Sequence, residues 1–416
     1  MKIIKKTLRL AAFTLFTLVA LVILGFNSLA RQVDLPKPEG KYNVGVTHRI
    51  ITTNRVADFH QFVDSNKTVY LKIWYPAIEV TNKERALSIE GGKKSVKEAI
   101  KNPSILERVG LKQILKIKTN AYFNIPIATG KFPMITYSHQ YGGWASENAD
   151  LFESLASKGF IIVAITHLNQ AVFAPINEKT IIDSKTIPLF DTLDKPLIKT
   201  LYADIDAAEQ QSVLDSSLLA IRKHPYLESR NRYSDIWSDD IITAIDYMKE
   251  AQIKSGDFFF EKIDTSKIGS MGFSFGGNAA INATLKDSSI RAAINMDGTV
   301  YGDFYDKKSD ANILFLARSN PKKKILSYFG NFRDKNNQHY PTLMFRGAEH
   351  SNFCDMNYFS ALFRWVGVTG SIDSQFMSQH KNQIVYDFFI TSFHQSDFNP
   401  EKYTQDERII NYKHLN

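Results

Sequence analysis

The sequence predicts an α/β fold, a mainly parallel central sheet with helices on both faces. Three observations carry this. Short apolar, β-branched runs recur along the chain, each bounded by turn residues. Helical periodicity fills intervals between them, and strands that alternate with helices argue a parallel sheet covered on both sides. The balance of 44% hydrophobic and 23% charged residues is ordinary for a globular chain and excludes wholesale disorder.

In chain order, the first thirty residues stand apart. Lys2, Lys5, Lys6 and Arg9 precede an apolar run from Leu10 to Phe26, and Ser28-Leu29-Ala30 closes it with small residues. That is the pattern of a secretory signal peptide. An uncleaved N-terminal membrane anchor is the rival, since a spanning helix needs about 17–25 residues. Either way the protein is expected to be exported, to the periplasm or the extracellular space if the source is bacterial. Residues 31–40, with Pro36, Pro38 and Gly40, read as a linker. One domain is expected over residues 41–394, with inserts at 91–125 and 168–232, and residues 395–416 as a polar, peripheral tail.

Within that domain the strands expected are Thr68–Tyr75, Phe132–Ser138, Phe160–Thr166, Lys267–Gly272, Ala292–Met296, Ile313–Ala317 and Thr342–Phe345. A helix is expected over Ala145–Ser157. Another is expected over Tyr233–Ala251, where Ile236, Ile241, Ala244, Ile245 and Met248 recur at helical spacing.

Composition narrows the function. The net charge is +8, but four of those charges lie in the acid-free leader, which leaves +4 for the remainder. No block of like charges follows, so no nucleic-acid partner is expected. Cys354 is the one cysteine, which excludes an internal disulfide and CxxC sites. There is no HExxH pair, and neither a metal nor a cofactor is expected.

The chemistry lies in three segments. Gly272-Phe273-Ser274-Phe275-Gly276 is a GxSxG pattern between an apolar strand and a helix start. In that context it reads as a nucleophile elbow, with the Ser274 hydroxyl exposed beside a helix N-terminus. A serine nucleophile needs a base and a group that orients it. His350 lies in the loop after Thr342–Phe345, at the strand end where such folds place functional groups, whereas His339 precedes that strand. Asp297 directly follows Ala292–Met296; after the next strand no acid appears until Asp334. Serine, acid, histidine is the chain order of an α/β-hydrolase triad. The plainer alternative for Asp297 is an Asp-Gly turn. Cys354 is read as a small buried hydrophobe rather than a thiol nucleophile. Backbone donors for an oxyanion are expected at Phe275 and Tyr141, the latter in the Gly-containing loop Ser138–Trp144.

The ordered set resembles the secreted, lipoprotein-associated type of platelet-activating-factor acetylhydrolase. The resemblance rests on Tyr42–Thr47, Tyr137-Ser138-His139, Tyr141-Gly142, Gly159–Val163 with His167, Ser274-Phe275-Gly276-Gly277, Asp297, His350–Phe353 and Gly370–Asp373. It implies an α/β-hydrolase fold and a calcium-independent serine esterase acting on short or truncated acyl esters, including phospholipid sn-2 esters. Two positions depart from it: Phe273 stands where that family has His, and Gln140 where it has Gly.

Pro103–Lys118 reads as an amphipathic helix with Lys112, Lys116 and Lys118 at its edges, in the region of that family's lipid-surface helix. It would either lie in a membrane interface or pack on the sheet. A general carboxylesterase or a polyester or cutinase-like hydrolase is the alternative reading. From another class comes a non-catalytic, membrane-tethered binding protein on the same fold, discriminated by failure to label with a fluorophosphonate. Nothing in the sequence sets the oligomeric state.

Overall fold

Each apolar run read as a strand forms one, and six further strands are described, four of them in the same sheet. The computed structural model describes residues 34–53, 67–78, 83–89, 117–168, 174–175, 181–182, 228–302, 308–319, 340–358 and 361–412, with scattered positions between. The expected leader, most of both inserts and nearly all of Pro103–Lys118 lie outside the described residues. The strands are β1 (Asn43–Thr53), β2 (Lys67–Ala77), β3 (Arg85–Leu87), β4 (Lys118–Phe123), β5 (Phe132–Ser138) and β6 (Ile161–Thr166). After them come the small ribbon β7 (Ala174–Pro175) and β8 (Ile181–Ile182), then β9 (Ile263–Phe273), β10 (Ile290–Met296), β11 (Asn312–Arg318), β12 (Thr342–Phe345) and β13 (Ile409–Asn411).

Eleven of these form one sheet in the order β13-β12-β11-β10-β9-β5-β6-β2-β1-β4-β3. The block from β6 to β12 is parallel throughout, while β2 runs antiparallel to both β1 and β6. Side chains alternate between two cores, as the period-2 strand geometry requires. In β6, Ile162 and Ala164 enter one core, and Ile161, Val163 and Ile165 the other. The first core is covered by α1 (Ala149–Ser157) and α4 (Ser374–Phe393), the second by α2 (Glu228–Ile253) and α3 (Phe275–Lys286).

Three expectations need correction. The helix expected from Ala145 begins at Ala149, because the Asp355 carboxylate accepts the Ala149 N–H at 2.7 Å and the preceding residues are folded into a loop. The helix expected over Pro103–Lys118 does not run to its end: Ile117 is buried in a small cluster with Leu35, Ile89 and Trp144, and Lys118 opens β4. The tail expected to be peripheral returns to the sheet, since β13 pairs antiparallel with β12 and Tyr403 and Ile409 are buried. A three-residue strand leaves too short a pattern to be read from sequence.

The inner side of α1 carries an acid. Glu153 is buried, its two carboxylate oxygens accepting from the Asn120 backbone N–H and side-chain amide of β4, each at 2.9 Å. Burial pushes Glu153 up to about 8 from its ordinary 4.5, and Glu147, just before the helix, likewise up to about 8. Between those values the folded chain holds protons that the unfolded chain releases, so stability falls as pH rises. Burial also holds His139 down to about 3, which costs stability as pH falls but adds no slope above its ordinary 6.5. Thermal melts should therefore show Tm declining from about pH 6.5 to 8, and Glu153→Gln should remove part of that slope. A Tm that rises across this window would contradict the account.

Candidate active site

Ser274 sits between β9 and α3 with φ 55 and ψ −122. This is the left-handed region, costing about 1–3 kcal/mol for a residue with a side chain. The turn is held by Ser274 N–H to the Met296 carbonyl at 2.8 Å and Gly277 N–H to the Ser274 carbonyl at 3.0 Å. A Cβ at Gly272 would run into the Gly276 carbonyl, and one at Gly276 into the Ser138 carbonyl. The two flanking glycines are what let strand, turn and helix close on each other. The result puts the Ser274 hydroxyl at the N-terminal end of α3, where developing negative charge is favoured.

His350 opens a 3-10 turn, His350–Phe353, after β12. Its Nε2 lies 2.9 Å from Ser274 Oγ, and its Nδ1 2.5 Å from Asp297 Oδ2. Asp297 follows β10 with φ 51 and a side chain only 1% exposed, against 33% for His350. Its Oδ1 accepts the Arg318 N–H at 3.1 Å, and its own N–H donates to the Leu316 carbonyl at 2.7 Å. The acid is thereby fixed from β11 while it holds the imidazole. Because a carboxylate only accepts, the proton sits on His350 Nδ1, which leaves Nε2 facing the serine as a base. Phe273 packs its ring 4.6 Å from that imidazole, so an apolar surface lies against it where the resembled family has a histidine.

The three residues singled out from sequence are thus in one hydrogen-bonded chain. His380 is elsewhere, its Nδ1 2.9 Å from the Phe376 carbonyl on α4, and His339 and Asp334 lie outside the described residues. Cys354 is buried, its thiol pushed well up by burial, so it is no nucleophile. Among the described residues, no group of three or more His, Cys, Asp or Glu side chains is arranged to hold a metal ion.

Phe275 is the first residue of α3, so its N–H has no acceptor within the helix. Across from it, the loop after β5 is tightly bonded. Gln140 N–H donates to Glu147 Oε1 at 2.7 Å, Gly142 N–H to the Gln170 carbonyl at 2.8 Å, and Gly143 N–H to the Gln140 carbonyl at 2.8 Å. Tyr141 lies between these fixed points. His139 Nε2 accepts the His167 N–H at 3.0 Å, which places the His139 proton on Nδ1, 2.6 Å from the Gln140 carbonyl. His167 in turn joins Asp240 at 2.9 Å and Ser138 at 2.7 Å. Glu147, His167 and Asp240 were not singled out as functional from sequence. Only His167, at the C-terminal end of β6, carried a positional signal.

A serine with a histidine at Nε2 distance and an acid behind that histidine can carry out acyl transfer. Comparison with known proteins agrees with this class. The chain is 22% identical over 366 residues to a platelet-activating factor acetylhydrolase of Cavia porcellus, covering 83% of this chain and 74% of that protein. It is 23% identical to the one of Canis lupus familiaris, covering 79% and 70%. Among solved structures, a ferulic acid esterase from Streptomyces cinnamoneus superposes with a TM-score of 0.67 at 15% identity, over 92% of this chain and all of that one, which shows a shared α/β-hydrolase fold. The model of platelet-activating factor acetylhydrolase, isoform II, matches residues 27–408, and the chain belongs to that family of ester hydrolases.

Proposed function

We propose that this protein is a serine esterase that hydrolyses short or truncated acyl esters, including the sn-2 esters of phospholipids. The observation that carries this is the uninterrupted chain Ser274–His350–Asp297, with Nε2 at 2.9 Å and Nδ1 at 2.5 Å. Ser274 Oγ attacks the ester carbonyl carbon while His350 Nε2 takes its proton. Asp297 stabilises the imidazolium without taking a proton from it. The carbonyl oxygen, now an anion, receives the N–H groups of Phe275 and Tyr141. Collapse breaks the ester C–O bond, and the leaving alcohol takes the proton from His350. Water, deprotonated by the same nitrogen, then releases the acid and restores Ser274.

The acyl preference is supported by the family and by the acetylhydrolase relatives rather than by a described acyl pocket. The leader pattern of residues 1–30 supports export. Contact with a lipid surface is supported by Pro103–Lys118 as a sequence and by its neighbourhood. Leu115 and Ile117 pack with Phe363, and close by in sequence Trp365 and Val366 are 81% and 50% exposed.

Ser274→Ala should fold normally and lose several orders of magnitude in p-nitrophenyl acetate hydrolysis. Near-normal turnover would refute the assignment. Asp297→Asn should lower kcat by roughly 10⁴-fold, the loss expected when the imidazole is held in the wrong tautomer; a loss under tenfold would place the acid elsewhere. Trp365→Ala should weaken sedimentation with anionic vesicles by about tenfold or more, since burial of one large apolar side chain is worth that much. Hydrolysis of the soluble ester should be spared. Unchanged vesicle binding would remove Trp365 and the short helix Ala361–Trp365 that it ends from any lipid contact.

A further inference from the structure

Outside the chain Ser274–His350–Asp297, Glu147 is a heavily bonded polar group beside the site. It is fully buried. Its Oε1 accepts two hydrogen bonds, from Gln140 N–H at 2.7 Å and from Tyr137 O–H at 2.8 Å, and its Oε2 lies 3.2 Å from the Gln140 side-chain amide. Behind it the donors and acceptors have one consistent direction. Lys381 Nζ donates to Asn148 Oδ1 at 2.8 Å, and Asn148 Nδ2 donates to Tyr137 Oη at 2.7 Å, which turns the Tyr137 proton toward Glu147. The Glu147 carbonyl accepts the Asp355 N–H at 2.8 Å, and Asp355 belongs to the segment that follows His350. One residue therefore ties the loop carrying Tyr141 to the segment carrying the base.

We propose that Glu147 is a positioning residue for the oxyanion loop, acting through Gln140 N–H to hold the Tyr141 amide where the tetrahedral oxyanion forms. This rests on the esterase reading above. A carboxyl so placed suits a loop that must not shift during the reaction, because the backbone donor works only within a few tenths of an ångström of its target. The glutamine at position 140 has a use here: its side chain reaches the same carboxyl as its backbone. Gly143 is constrained by the same group, since a Cβ there would collide with Glu147 Oε2.

The test compares Glu147→Gln with Glu153→Gln, two buried acids on one segment whose bonds go to different places. Glu147 holds the loop, whereas Glu153 holds Asn120 of β4. With a soluble p-nitrophenyl ester, Glu147→Gln should lower kcat by about 10–100-fold while KM stays within about threefold, the signature of a donor displaced by a fraction of an ångström. Affinity for an alkylboronic acid, which forms a tetrahedral adduct on Ser274, should fall in the same proportion. Glu153→Gln should leave kcat within about twofold whatever it does to Tm. If Glu147→Gln does not fold, Tyr137→Phe carries the test, with kcat expected to fall about 3–10-fold for one lost hydrogen bond. A folded Glu147→Gln with wild-type kcat, or an equal loss in Glu153→Gln, overturns the proposal. So does wild-type kcat in Tyr137→Phe where Glu147→Gln cannot be made. Wild-type enzyme and Ser274→Ala run beside them: no serine-dependent turnover in the wild type overturns the esterase reading and this one together.

Discussion

The bond between His350 Nδ1 and Asp297 Oδ2, 2.5 Å long, is the contact on which the site depends, and it constrains the sheet. Ser274 follows β9, Asp297 follows β10, and His350 follows β12. These strands lie in the order β9-β10-β11-β12 and all run the same way, so their C-terminal ends open on one edge. β11 contributes no reacting group but supplies the donor that fixes the acid, Arg318 N–H. Antiparallel pairing anywhere in this block would carry one partner to the far edge, a strand length away. The parallel order is therefore a condition of the chemistry and not only a way of covering apolar faces.

Two of the five non-glycine residues with positive φ among the described residues lie at the same edge. Ser274 and Asp297 both have positive φ although neither is glycine. Each is compensated by close packing: the elbow by glycines against backbone carbonyls, the acid by its own N–H bonded to Leu316. The cores on the two sheet faces hold the strand ends still enough for those conformations to persist. Underneath, α1 and the two residues before it collect Glu147, Asn148, Asp150 and Glu153, with Lys381 and Asp355 facing them. Such a set is costly to desolvate, and it is tolerated because each of its acids accepts hydrogen bonds that tie loops and helices together, although Asp355 Oδ1 is buried without a partner. Asp150, for instance, accepts from Tyr358 and Asn382.

The fold class and the hydrogen-bonded chain Ser274–His350–Asp297 were legible because each is written in short local patterns. GxSxG between an apolar strand and a helix start locates Ser274, and Asp297 and His350 each follow a recognisable strand. What was not legible depends on contacts distant in sequence. β13 is three residues long and becomes a strand only because β12 has a free edge beside it. β4 gives a weak pattern and is defined by pairing with β1 and β3. Glu147 lies within a stretch read as helix, where a glutamate ordinarily marks a solvated face. Its partner Tyr137 is on β5, and no periodicity announces that a helix-prone segment will instead be drawn into a buried loop.

A second serine–histidine–aspartate constellation shows what separates a reacting site from a structural one. Ser138 Oγ lies 2.7 Å from His167 Nε2, and His167 Nδ1 lies 2.9 Å from Asp240 Oδ2, the same groups joined in the same sense as Ser274, His350 and Asp297. Yet Ser138 is 0% exposed and ends a regular strand, whereas Ser274 is thrust out on a strained turn. Trp237 stacks on His167 at 3.8 Å, and that imidazole is buried away from solvent. His350 keeps a third of its side chain open. With hydrogen bonding equal, access and backbone conformation decide which serine can reach a carbonyl. The buried copy is left the other task that such a chain can do: through the His167 N–H and His139 it holds the Gln140 carbonyl, and so braces the same loop that Glu147 holds through the Gln140 N–H.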